Sequence, residues 1–145
     1  MSIFTKTKQR LRRRKLRQIG IEPVPCDSAT LYGGDHGWVI DESSIDSESI
    51  IYSVGVGSNI DFDLKLIDSL GVTIHAFDPT PRSIEWVKGQ SLPNKFIFHP
   101  VGLAAENGFM TFYPPAKSTS THFSPADRYG NTDNEIKAPV KDIDT

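Results

Sequence analysis

Two short stretches hold the residues whose types and spacing can do chemistry. In Ser53-Val54-Gly55-Val56-Gly57-Ser58-Asn59 a pair of glycines lets the backbone turn sharply and come close to a ligand. Asp78 ends another apolar run, 21 residues after Gly57. A carboxylate at a strand tip can accept both hydroxyl hydrogens of a ribose. Taken together, the glycine turn and the acid point to a ribose-bearing nucleotide. The plainer alternative is that the glycines only make a turn and Asp78 only caps the helix after it.

The charges narrow the choice of nucleotide. A dinucleotide fingerprint needs a third glycine three positions after the second, and a bare helix N-terminus for the pyrophosphate. Ile60 stands at that position, and Asp61 and Asp63 put two negative charges where the phosphates would sit. Unit charges ~4 Å apart interact by about 4 kcal/mol at an effective dielectric of 20, so the repulsion matters. A phosphate-binding P-loop is excluded because no Gly-Lys-Ser/Thr occurs. S-adenosylmethionine suits these charges better. It has no phosphate, its ribose needs Asp78, and its methionine ammonium can be held by a carboxylate.

The remaining reactive side chains are few. His75 lies within an apolar run and reads as a packed, hydrogen-bonded residue, whereas His99 ends a run on the ligand side. His36, in Gly-Gly-Asp-His-Gly, sits in a turn that could fold over the site, and His122 lies in a polar loop. Cys26 has no activating base near it in sequence, and a single cysteine forms no internal disulfide. No Cys/His cluster has zinc-site spacing. Trp38 and Trp86 read as packing residues, with Trp86 beside an adenine edge.

These residues need elements to hold them. The chain has 145 residues, 37% of them hydrophobic, which is one domain's worth of core. Ile50–Val54 is a nearly continuous apolar run, the pattern of a strand buried in a parallel sheet. Ile60, Leu64, Ile67 and Leu70 form one stripe of a helix that Ser58 or Asn59 caps and Gly71 ends. Val72–Phe77 reads as a second strand, Pro81 starts a second helix, and Lys95–His99 reads as a third strand. Val101–Leu103 and Phe109–Tyr113 flank Glu106-Asn107-Gly108 and are expected to pair as a hairpin. Strand, helix, strand, helix, strand is the opening of an open α/β sheet.

With those motifs in place, the stretch from Trp38 onward resembles the first half of an FkbM-type methyltransferase, a class I S-adenosylmethionine-dependent family. The similar segments are IYSVGVGSNIDFD at 51–63, HAFDPTPRSIEWV at 75–87, HPVGL at 99–103 and the later VKDIDT. The resemblance implies a Rossmann-like class I methyltransferase sheet and methyl transfer to a hydroxyl oxygen, on a sugar or secondary metabolite. It also implies that Gly55 and Gly57 line the methionine moiety, that Asp78 binds the ribose diol and that Gly102 lies near the adenine, with Val56, Ser58 and Pro79 among the residues expected to bind the donor. Ser53 stands where the class usually has an acid, so Asp61 or Asp63 is expected to hold the ammonium instead.

Organisation follows from charge and length. Residues 1–21 hold eight basic side chains and no acid, while the other eight basic side chains stand against all 18 acidic ones. The expected division is a basic arm at 1–21, a lead-in and linker at 22–49, a donor-binding half at 50–113 and a loop-rich extension at 114–145. The arm reads as a solvated helix; contact with nucleic acid or an anionic surface through residues 6–17 is the sharper alternative, weakened by the lack of aromatics for base stacking. The family's next strand, with its Asp-x-Glu-Gly block, does not occur, so the sheet is expected to stop after the third parallel strand and the hairpin. The sequence then reads as a fragment, or as one that a partner completes, with its first strand left as an exposed apolar edge. No run approaches the ~20 apolar residues of a membrane-spanning helix. The expectation is a cytoplasmic enzyme acting on a small molecule or glycan. The alternatives are a non-catalytic binding module that keeps the nucleotide fold, and an NAD-dependent oxidoreductase.

Overall fold

The computed structural model describes residues 11–12, 14–22, 26–34, 37–115, 123–130 and 133–143. Residues 14–18 of the basic arm are helical. The helix stops at Gly20, whose φ of 77° lets Gly20 N–H reach Arg17 O and Ile21 N–H reach Leu16 O (3.1 and 3.0 Å). These two bonds satisfy carbonyls that a helix end otherwise strands.

Next comes an antiparallel pair, β1 (Ala29–Tyr32) and β2 (Trp38–Asp41), within the stretch expected to be a lead-in and linker. Sequence reading missed β1 because its partner register depends on the glycine-rich turn between them. A Cβ on Gly37 would lie 1.6 Å from Tyr32 O, so only glycine fits there. His36 lies outside the described residues.

The centre is a parallel sheet of β3 (Ile50–Val54), β4 (Thr73–Phe77) and β5 (Phe96–His99), in that order. Two helices connect them, α1 (Asp61–Leu70) and α2 (Pro81–Lys88). Pro81 occupies the start of α2, and Gly71 closes α1 in the left-handed region at φ 68°. The formal cap of α1 is Ile60, one residue later than expected, although Asn59 Oδ1 still accepts the Asp61 amide at 2.8 Å.

Because the sheet grows in one direction, right-handed crossovers put both helices on one face. There Leu66 and Val87 pack on Ile74, Ala76 and Phe96, with Val72, Val56, Ile60 and Tyr32 completing the core. The other face of β3 is bare: Ile50, Tyr52 and Val54 are 56%, 50% and 63% exposed. The strand order also makes β3 an edge, as the sequence led us to expect.

The expected hairpin after β5 does not form. β6 (Gly102–Leu103) and β7 (Gly108–Phe112) do not pair with each other; both pair with β8 (Ile136–Lys141), β6 in parallel and β7 antiparallel. β6 has only two residues, whereas β8 is long enough to pair with β6 and β7 together. β8 also offers Ala138 and Val140, both buried, on one side of an alternating strand. The β6 ladder starts at Gly102↔Val140, just past Pro139, which has no N–H to give.

Candidate functional site

The parallel register brings the tips of β3 and β4 level, Val54 opposite Phe77. The chain leaving β3 turns over the tip of β4 and is pinned there by two amides. Gly55 N–H donates to Phe77 O (2.9 Å), and Gly57 N–H donates to Asp78 Oδ2 (2.9 Å). Both glycines have positive φ, 89° and 60°, a backbone region that side chains disfavour. Between them Val56 points the other way into the core, 5% exposed.

Asp78 is 4% exposed and fully engaged on one oxygen. Its Oδ1 accepts from Thr80 N (2.9 Å) and Thr80 Oγ1 (2.7 Å), the local turn that an acid makes with the residue two places on. Thr80 Oγ1 also lies 2.8 Å from Ser83 Oγ. The threonine hydroxyl has one proton, which the acceptor-only carboxylate takes, so Ser83 donates in turn. Asp78 thus ties the glycine turn to the start of α2. A carboxylate has about four lone-pair sites, and three donors leave one, on Oδ2. That is room for one ribose hydroxyl rather than two.

Asp63 is the second buried acid, 4% exposed in the first turn of α1. Burial pushes its carboxyl above the ordinary range, against the Ser53 hydroxyl and its own amide, which stabilise the anion. Asp63 Oδ1 has no hydrogen-bond partner. Ser53 is therefore in contact with an acid supplied by the helix. Asp61 and Ser58 are exposed at the surface beside it.

Gly102 and Pro79 are brought together at the other flank. A Cβ on Gly102 would meet Val140 Cγ1 at 3.1 Å and Pro79 Cγ at 3.3 Å, so protein fills the space over its Cα. Of the predicted residues, Gly55, Gly57, Asp78, Pro79 and Gly102 gather around the β4 tip, and Asp63 lies beneath Ser53 on α1. Thr80 and Ser83 escaped the sequence reading, although the Asp-x-Thr spacing is itself a signal for the turn. Cys26 is exposed, and His122 lies outside the described residues. Among the described residues, no group of three or more His, Cys, Asp or Glu is arranged to hold a metal ion, and no helix is long and apolar enough to cross a membrane.

No family model, no curated protein and no solved structure matches this chain.

Proposed function

We propose that the chain forms the donor-binding half of an S-adenosylmethionine-dependent methyltransferase of the FkbM type, on a Rossmann-like class I sheet. Its acceptor would be a hydroxyl oxygen of a sugar or secondary metabolite. The observation that carries this reading is the 2.9 Å bond between Gly57 N–H and Asp78 Oδ2, which joins the glycine turn and the strand-end acid into one site.

The donor set fits a phosphate-free nucleoside with a cationic tail. Asp78 keeps one acceptor position for a ribose hydroxyl, and the second hydroxyl needs another acceptor. Asp63 Oδ1, buried without a partner, is suited in charge to an ammonium. A pyrophosphate fits worse: the first amide of α1 is taken by Asn59, and Asp61 and Asp63 oppose an anion. When bound, S-adenosylmethionine supplies an electrophilic methyl group. The chain's own residues bind and orient it.

Calorimetric titration with S-adenosylmethionine and NAD in parallel tests the reading. S-adenosylmethionine should bind and NAD should not. Asp78→Ala should weaken binding by about 1–3 kcal/mol, because the acceptor it removes is charged. Unchanged affinity would remove Asp78 from the site.

The three donors already on Asp78 favour one other reading, a non-catalytic module in which the acid is only a strut. In that case Asp78→Ala lowers stability, and the unaltered chain gives no heat with either nucleotide.

A further inference from the structure

The face of the parallel sheet away from the helices carries a second group of reactive side chains. His75 on β4 and His99 on β5 meet there, Nδ1 of His75 lying 3.0 Å from Nε2 of His99. Their ring planes differ by 16° and their centroids are 5.1 Å apart. That separation is close to the N···N distance plus one ring radius at each end, so the two nitrogens lie between the ring centres and face each other. This is the geometry of an N–H···N hydrogen bond. Two nitrogens converging on a metal would aim their lone pairs at a third point instead. The Phe77 ring lies parallel to His99 at 4.6 Å and 13°, and holds it in place. Tyr52 from β3 and Lys141 from β8 also face the pair. Burial, His75 and Lys141 all lower the affinity of His99 for a proton, which favours its neutral form. His99 O accepts the Asp78 amide at 3.2 Å, so the pair stands at the same sheet end as the glycine turn.

Two neutral imidazoles bonded in this way share one inner proton. If His75 Nδ1 holds it, His75 Nε2 is bare and His99 Nδ1 carries a hydrogen. If His99 Nε2 holds it, the roles reverse. One end of the pair is always a base and the other an acid.

We propose that His75 and His99 form a proton relay that takes a proton from a bound hydroxyl at one outer nitrogen and gives one to water at the other. The O–H bond breaks with its electron pair left on oxygen, and an outer N–H bond forms. The inner proton crosses between the rings, and the far N–H releases its proton to water. Both rings end neutral with their tautomers exchanged. As the base for methyl transfer to a hydroxyl the relay rests on the reading above; as an acid–base pair it stands without it.

Two measurements on the full chain test it. In ¹⁵N spectra of the unaltered protein, His75 and His99 should share one tautomer and show coupling across the hydrogen bond. Unlike tautomers, or no coupling across the bond, overturn the relay, and this needs no variant. The second measurement uses p-nitrophenyl acetate, with water as the hydroxyl. Its hydrolysis at pH 7 should fall about tenfold or more in His75→Gln and in His99→Gln, and no further in the double variant. A rate unchanged in either single variant overturns the proposal. S-adenosylmethionine affinity, read separately, should stay within about twofold in both variants, since the pair does not hold the donor. If no form of the chain binds that nucleoside while the hydrolysis results hold, the methyl-donor reading fails and the relay remains.

Discussion

Asp63 is where burial and function pull in opposite directions. Its carboxyl is enclosed, one oxygen unpartnered, and burial raises its affinity for a proton above that in the unfolded chain. A raised carboxyl holds its stabilising contribution below the unfolded value of about 3.9 and loses it as pH climbs through the folded value. Stability should therefore decline as pH rises above about 4, and Asp63→Asn should flatten that decline. Denaturant melts from pH 4 to 7 should show the variant gaining about 1 kcal/mol at pH 7, by relief of an unpaired buried charge. The same substitution should weaken S-adenosylmethionine binding if Asp63 holds the ammonium, a trade of activity for stability. A variant that gains stability and keeps full affinity would clear Asp63 of any binding role. Asp78 was legible from its place at the end of an apolar run. Asp63 was less so, since acids in a helix's first turn ordinarily face solvent, and only the packing of α1 under Ser53 buries it.

Elements held by local pattern were readable; pairings across long stretches of chain were not. The stripe through Leu64 and Ile67, the αL glycine at 71 and the proline opening α2 each fix an element through contacts a few residues apart. The turn at Glu106-Asn107-Gly108 is equally good local chemistry, yet β6 and β7 go to β8 about thirty residues on, because Ala138 and Val140 need burial. The His75–His99 bond escaped notice for the same reason: it exists only once β4 and β5 are in register. Central placement of β8 makes its two faces unequal. Ala138→Asp puts a charge into the buried side and should cost about 3 kcal/mol or more. Lys137→Asp, one residue away on the exposed side, loses only a cation contact over the Phe109 ring and should cost no more than about 1 kcal/mol. Equal losses in thermal melts would mean that β8 does not alternate as described. At the other end of the chain, Gly37→Ala drives a methyl into Tyr32 O and should unpair β1 from β2, with loss of amide protection at Thr30 and Ile40.

On the scale of the whole molecule, two unlike forces act on its surface. The three-stranded sheet is covered by helices on one side only, and its edge strand presents Ile50, Tyr52 and Val54 along with unpaired backbone groups. The basic arm, with Arg12, Arg14, Lys15 and Arg17 exposed, faces a remainder in which acids outnumber bases by ten. Either feature can draw copies of the chain together, but they respond to salt in opposite ways. Attraction between the arm of one copy and the acidic body of another is screened over about 10 Å at 0.1 M salt and over about 3 Å at 1 M. Apolar contact through β3 is not weakened by added salt and is strengthened by sulfate. Sedimentation at rising sodium sulfate should therefore show association that grows, because β3 alone presents three large side chains on the bare face. Val54→Lys should suppress that association without lowering the melting temperature, since residue 54 is 63% exposed and packs on little. Association that fades with salt and survives Val54→Lys would shift its origin to the arm. In that case the apolar edge is not what brings copies together.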